Sequence, residues 1–176
     1  MHRKNIHPLL GIAFGLMVVS GSAADLTLRN AQAQVYFSPH GGCTEAIVEA
    51  INKAHRSILV QAYSFTSMPI AASLKAAHDR GVDVRVILDK SQRTERYSDL
   101  AFIRSAGIPV AIDAAYSIAH SKTIVIDEET VITGSFNFTK AAEAHNAENL
   151  LIIMNADLAT LYTKNWQTNF AISEKD

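Results

Sequence analysis

The segment His120-Ser121-Lys122-Thr123-Ile124-Val125-Ile126-Asp127 sets an imidazole two residues before an ammonium and a carboxylate at its end. Gly134-Ser135-Phe136-Asn137 follows, and then Glu148. Alternate side chains of an extended strand share a face, so His120 and Lys122 are expected to point the same way. Ser135 and Asn137 have matching parity and are expected on the strand that pairs with the first in a hairpin. An imidazole, an ammonium, a hydroxyl and an amide then converge. Asp127 has the opposite parity from His120 and falls near the turn. An ion pair with Lys122, or a hydrogen bond that holds the hairpin, suits it better than contact with substrate. Gly134 is expected to support the site beside it.

This combination suits a phosphodiester. A neutral imidazole is a competent nitrogen nucleophile near neutral pH. Lys122, Ser135 and Asn137 can donate to non-bridging oxygens and spread the charge of the transition state. A carboxylate behind a histidine fixes its tautomer and supports its cationic form, and Glu148 is the candidate. The competing reading is structural, because a single histidine on a half-buried strand usually packs. The pair His2 and Lys4 repeats the short spacing by chance, with Leu9 where an aspartate would stand. The full ordered set from His120 to Asn137 is much harder to obtain that way.

The elements that must position these groups alternate. Val35–Phe37 reads as a short strand ended by Ser38-Pro39-His40-Gly41-Gly42. Thr44 is the expected cap of a helix running to His55. Ser57–Phe65 is expected as strand, and Ile70–Arg80 as a helix opened by Pro69 and stopped by Gly81. Val82–Leu88 is strand again, and Asp89–Asp99 a polar loop leading into a helix that Gly107 ends. Ile108–Ile112 is strand, and Lys122–Ile126 with Thr130–Thr133 forms a hairpin around Asp127-Glu128-Glu129. Glu148–Met154 is strand. Asp157–Phe170 is a closing amphipathic helix with Leu158, Leu161, Tyr162, Asn165, Trp166 and Phe170 near one stripe. The pattern predicts an α/β fold, a mixed β-sheet flanked by helices on both faces.

Length and composition fit one such domain. The chain has 176 residues, 48% hydrophobic and 19% charged, which excludes a disordered or low-complexity protein. The lone Cys43 excludes an internal disulfide framework and a thiolate metal cluster. Arg3 and Lys4, an apolar run from Pro8 to Val19 and the small residues Ser20–Ala24 follow the order of a cleavable signal peptide. The run is short of the roughly 18 residues that span a bilayer, although an uncleaved anchor is the alternative. Residues 1–24 are thus expected to be removed, leaving 25–176 as the catalytic domain, with 14 cations against 17 acids. A periplasmic or secreted location follows for a bacterial host. The mild negative charge means that polyanion binding would need a local basic strip.

His120, Lys122, Asp127, Gly134, Ser135 and Asn137 together resemble the HKD motif of the phospholipase D superfamily. Tyr36-Phe37-Ser38-Pro39, Ala62-Tyr63-Ser64-Phe65-Thr66, Arg80-Gly81-Val82-Asp83-Val84 and Gly134-Ser135-Phe136-Asn137-Phe138-Thr139 resemble its small bacterial endonuclease branch, the Nuc-type nucleases. The resemblance covers about Val35 to Trp166. It implies a phospholipase D-like fold and a covalent phosphohistidine on His120. It further implies that Lys122, Ser135 and Asn137 hold the phosphate, that Glu148 orients a histidine, and that neither metal ion nor cofactor is needed.

The reaction needs a nucleophile, an acid for the leaving oxygen and a base for water. Larger family members carry two HKD motifs, and this chain has one. A two-fold homodimer with facing His120 side chains would supply both roles. DNA, cleaved without sequence preference, is the expected substrate, with RNA as a further candidate. A lipid phosphodiesterase and a noncatalytic binding module on the same fold are the alternatives. No amphipathic membrane helix is evident outside the signal, so no stable membrane association is expected after cleavage. Arg93 and Arg96 fall in the polar loop, where they could equally meet a nucleic-acid backbone or solvent. His145 and His40 read as loop residues that could approach the cleft. His55 and His78 sit near helix C-termini, and Trp166 and Tyr162 fit a core stripe.

Overall fold

The computed structural model describes residues 23–175, so the signal-peptide expectation lies, but for Ala23 and Ala24, outside the described residues. The ten strands are β1 (Gln32–Ser38), β2 (Ser57–Ala62), β3 (Phe65–Thr66), β4 (Asp83–Asp89), β5 (Val110–Asp113), β6 (Lys122–Ile126), β7 (Thr130–Gly134), β8 (Phe138–Thr139), β9 (Glu148–Met154) and β10 (Glu174–Lys175). The helices are α1 (Cys43–Asn52), α2 (Met68–Asp79), α3 (Leu100–Ser105), α4 (Lys140–Ala144) and α5 (Ala156–Ile172), with a 3₁₀ turn over Lys90–Arg93. Eight strands form one sheet in the order β1-β9-β7-β6-β2-β4-β5-β10. β2, β4 and β5 run parallel, and the hairpin β6–β7 joins them antiparallel through β2. β3 and β8 make a separate two-stranded parallel ribbon.

Period-2 burial divides the sheet between two helical layers. Ile58, Val60, Val84, Val86, Ile124, Ile132 and Ile152 share the larger core with Ile47 and Ile51 of α1 and Ile70 and Leu74 of α2. Val125 and Val131 face the other way and pack on Ala159 of α5. Helices therefore lie on both faces, as the alternation predicts. The buried stripe of α5 is rotated from the expected one. Ala159, Thr163, Trp166 and Asn169 are its deepest residues, and Asn165 is exposed. Two polar contacts set that rotation. The Trp166 indole N–H donates to Val60 O at 2.9 Å, and Asn169 Nδ2 donates to Gln61 Oε1 at 3.2 Å.

Several ends are set by partners distant in sequence. α1 begins at Cys43 behind Gly42 (φ 78°), not behind a Thr44 cap. The Glu143 carboxylate takes the Gly42 and Thr44 N–H groups at 3.1 and 2.8 Å, doing the work of an N-cap from 101 and 99 residues away. The expected strand Ser57–Phe65 stops at Ala62 and resumes as β3, because Phe65 pairs with Phe138 instead of a sheet neighbour.

Asp127 forms no ion pair with Lys122, which stands at the other end of β6. Asp127 and Glu128 take positive φ in the hairpin turn. The Asp127 carboxylate accepts the N–H groups of His55, Arg56 and Ser57 at 2.9, 2.7 and 2.9 Å. Burial raises its pKa, but these bonds and Arg56 outweigh burial and leave it lowered.

Asp99 precedes α3 and is 7% exposed, with Oδ2 unpartnered. Burial pushes its carboxyl up to about 6. The folded protein therefore keeps this proton to a higher pH than the unfolded chain does. The resulting stability is present below a pH of about 4 and lost as pH rises towards 6. Asp99→Asn should exceed the wild type in urea-melt stability at pH 8 by about 1–3 kcal/mol, with the gap closing towards pH 4. Parallel stability–pH curves for the two proteins would contradict this origin.

Candidate active site

The pairing register assembles the site. Lys122 opens β6 opposite Ala62 of β2, and Gly134 closes β7 opposite Leu150 of β9. The start of β6, the end of β7 and the start of β9 therefore meet where the parallel strands β2, β4 and β5 end. Crevices in open α/β sheets form at such carboxyl ends. Lys122 and Glu148 share the sheet face of Ile124 and Ile152. Their proximity is electrostatic as well as geometric: burial lowers the Lys122 pKa, and the charge of Glu148 partly opposes it.

His120 and Lys122 do not lie on one strand as the parity argument expects. β6 starts at Lys122, and His120 belongs to the preceding loop. His120 is exposed, whereas Lys122 is 7% exposed. Two contacts bring them together. Lys122 Nζ donates to His120 O at 2.7 Å. The Tyr63 ring lies 4.5 Å from the imidazole, centroid to centroid, and 5.2 Å from Lys122 Nζ. Tyr63 also anchors the loop by its backbone, donating N–H to Ser121 O at 2.9 Å. Its place in the site was not apparent from sequence, because only the pairing of β2 with β6 reveals it.

Ser135 and Asn137 likewise leave the strand expected for them. β7 ends at Gly134 (φ 150°), where a Cβ would stand 2.3 Å from Asn149 O. This close approach explains the glycine. The Asn149 carbonyl accepts N–H from both Ser135 and Phe136, at 3.1 and 3.2 Å, and the chain turns away around the fully buried Phe136. Ser135 Oγ accepts from Asn149 N at 3.0 Å and Asn149 Nδ2 at 3.3 Å. Its lone pairs are thereby occupied, and its O–H remains to donate outward. Asn137 Oδ1 is buried without a partner among the described residues. Lys122 spends one of three N–H groups on His120 O. Donors are thus left over on all three residues, as an anion requires.

Glu148 Oε1 accepts from Asn146 Nδ2 at 3.3 Å, and Asn146 O accepts from Ser38 Oγ at 2.9 Å. Among the described residues no histidine pairs with Glu148. His40 and His145 are exposed. Arg93 pairs with Glu174, and Arg96 lies 5.3 Å from the ring of Tyr97. Two cavities among the described residues, of about 320 and 370 Å³, lie elsewhere, the first beside the Asp127 turn and the second between the starts of α1 and α2. The reacting groups stand at an open edge. Among the described residues, no three of His, Cys, Asp and Glu are grouped to hold a metal ion.

Open donors around an exposed imidazole, on a mixed sheet with helices on both faces, define a phosphodiester hydrolase. Comparison with known proteins gives the family. A family model described as "Cardiolipin synthase, PLD-like domain" matches residues 47–169. "Phospholipase D" of Rickettsia prowazekii is 40% identical over 90% of this chain and 87% of its own length. "Mitochondrial cardiolipin hydrolase" of Canis lupus familiaris is 31% identical over 73% of this chain and 51% of its own length. Nuc from Salmonella typhimurium, a phospholipase D family member of known structure, superimposes with a TM-score of 0.79. It is 41% identical, over 83% of this chain and 98% of that one. The chain belongs to the phospholipase D superfamily.

The tilted ring contact with Tyr63, at 53° between planes, limits the swing of the imidazole, and misplacement of a reacting group is costly. Tyr63→Ala should lower kcat on bis(p-nitrophenyl) phosphate by about tenfold, while Tyr63→Phe, which keeps the ring, should stay within about twofold. Equal losses in both variants would assign the effect to the phenol and not to the ring contact.

Proposed function

We propose that this enzyme is a metal-independent endonuclease that cleaves DNA or RNA without sequence preference. His120 attacks phosphorus, the ester oxygen leaves as an alcohol after taking a proton, and water then hydrolyses the phosphohistidine. Lys122, Ser135 and Asn137 hold the non-bridging oxygens. The observation that carries this reading is the convergence of His120 with three sets of uncommitted donors at one open edge. Likeness to Nuc over nearly all of that chain supports the nuclease branch.

The working unit is a homodimer closed over this edge, with nucleophile and acid coming from the two His120 side chains. Three features support it. The site is open, with His120 and Ser135 exposed. Among the described residues no histidine pairs with Glu148, and a second subunit's His120 would supply one. Phe37, Met68, Tyr97 and Ile118, between 48% and 69% exposed, belong to segments at the same end of the sheet. Exposed large apolar side chains gathered at one end mark a contact surface. Export through the N-terminal segment, and hence a periplasmic or secreted enzyme, completes the proposal.

Those apolar side chains also favour a second reading, hydrolysis of a lipid phosphodiester. The names of the Rickettsia and canine relatives point the same way. No helix among the described residues is long and apolar enough to cross a membrane.

Plasmid nicking in EDTA separates the readings. The wild type should nick, with activity falling as salt rises. His120→Ala should lose on the order of a thousandfold or more. Release of a lipid headgroup without nicking would establish the second reading, and silence in both assays would favour a noncatalytic module. Sedimentation at assay concentration should give a dimer, and a fully active monomer would overturn the shared site.

A further inference from the structure

His120 sits in a loop without regular structure, so something outside that loop must fix its backbone. The loop over residues 114–121 leaves β5 after Asp113 and enters β6 at Lys122. It is gripped from the ends of the neighbouring parallel strands. Asp89, the last residue of β4, accepts the Ala119 N–H on Oδ2 at 2.8 Å and the Ser91 N–H on Oδ1 at 2.9 Å. Asp113, its register partner on β5, accepts the Ala115 N–H at 3.1 Å. Lys90 Nζ donates to Tyr116 O at 3.0 Å. Among these holds, the one nearest the nucleophile is Asp89, on the peptide joining Ala119 to its neighbour before His120.

Asp89 is 3% exposed and lies outside the HKD set. A buried carboxylate is costly unless charged donors or several N–H groups receive it. Burial raises its pKa, but hydrogen bonding from the Ser91 side chain and from the Ser91 and Ala119 N–H groups, with the charge of Lys90, outweighs burial and leaves it lowered, so it remains a strong acceptor near neutral pH. The bond to Ala119 crosses 30 residues of sequence and links the rigid end of β4 directly to the reacting loop.

We propose that Asp89 is the positioning residue of the nucleophile: by holding the Ala119 N–H it fixes the direction from which the His120 imidazole meets phosphorus. The proposal rests on the phosphohistidine reading of His120. Asp89 touches no substrate. With it gone, Tyr63 and the Lys122 bond would still keep His120 near the site, but over a broader range of orientations. The consequence is a slower chemical step with little change in substrate binding.

The test uses the full-length folded enzyme and the small diester bis(p-nitrophenyl) phosphate, which is indifferent to nucleic-acid or lipid preference. Single-turnover release of p-nitrophenol with enzyme in excess times histidine attack, and saturation with enzyme removes the effect of any unfolded fraction. In Asp89→Ala the saturated single-turnover rate should fall roughly 10- to 100-fold, with the half-saturating enzyme concentration within about twofold. In Asp89→Asn one carboxamide oxygen can serve only one of the two N–H groups, so an intermediate loss is expected. A saturated rate equal to that of the wild type, with only the half-saturating concentration raised, in either variant, would make Asp89 merely structural and overturn the proposal. So would unchanged kinetics in either folded variant. Should Asp89→Ala fail to fold, the saturated single-turnover rate of Asp89→Asn decides. Absence of any phosphohistidine trapped by alkaline quench of the wild type would instead defeat the reading of His120 itself.

Discussion

The placement of β6 between β2 and β7 is the constraint on which the site depends. Its antiparallel register sets Lys122 against Ala62 on one side and brings the end of β7 alongside on the other. A slip of one residue would turn Ile124 and Ile126 out of the larger core and Val125 into it. The same slip would move Lys122 to the opposite face from Glu148. Packing of the aliphatic residues in the strand therefore fixes the polar group at its end. The Asp127 turn locks the far end, tying three N–H groups before β2 to the hairpin. The site and this turn lie at opposite ends of one short strand, so the carboxylate of the motif works on the chemistry only through the register it secures.

Burial is shared unequally among the reacting groups, and the inequality has chemical consequences. Lys122 is buried against a tyrosine face, where its charge is weakly hydrated and its attraction for an anion is correspondingly strengthened. Without an anion, Glu148 and the carbonyl of His120 offset part of the cost of that burial. His120 stands exposed, as a nucleophile that must meet a large substrate has to. Ser135 is exposed like His120, and Asn137 lies between the extremes; the Ser135 oxygen is consumed by Asn149, and the Asn137 Oδ1 is buried. The arrangement is preorganised for negative charge and would be poorly satisfied without it.

Most elements were legible in the sequence where the signal was local. Glu148–Met154 emerges as the strand anticipated, and the hairpin arms agree within a residue, because alternation and a turn with two positive φ values are encoded by neighbours. Gly81 and Gly107 take positive φ after their helices, as C-terminal stops should. What was not legible depends on partners far away in the chain. Parity placed His120 on a strand, but the loop from Asp113 is held by Asp89 and Lys90 and only joins the sheet at Lys122. Parity also placed Ser135 and Asn137 on β7, whereas the approach of Asn149 forces the chain to turn at Gly134. The capping of α1 by Glu143 and the ring contact of Tyr63 with His120 have no local signature at all. The residue types of the site were therefore readable, and their mechanical support was not.

Among the described residues one imidazole, His120, stands in the site, and this leaves the proposed chemistry unfinished in a specific way. Attack consumes a neutral histidine, and departure of the ester oxygen needs a proton that the attacking ring cannot supply at the same moment. Lys122 is engaged with the His120 carbonyl and aimed at the anion, so it is badly placed to serve as that acid. Glu148 is held by Asn146 and has the charge to support an imidazolium, yet among the described residues no histidine pairs with it. A two-fold axis over the open edge would meet both needs with the same residues, because an isologous contact presents each subunit's histidine to the other's carboxylate. Within the proposed dimer the two rings begin chemically identical. The bound diester would break that symmetry, since the ring on the side opposite the leaving oxygen attacks and the other, paired with a carboxylate, is the one able to hold the proton that the leaving group takes.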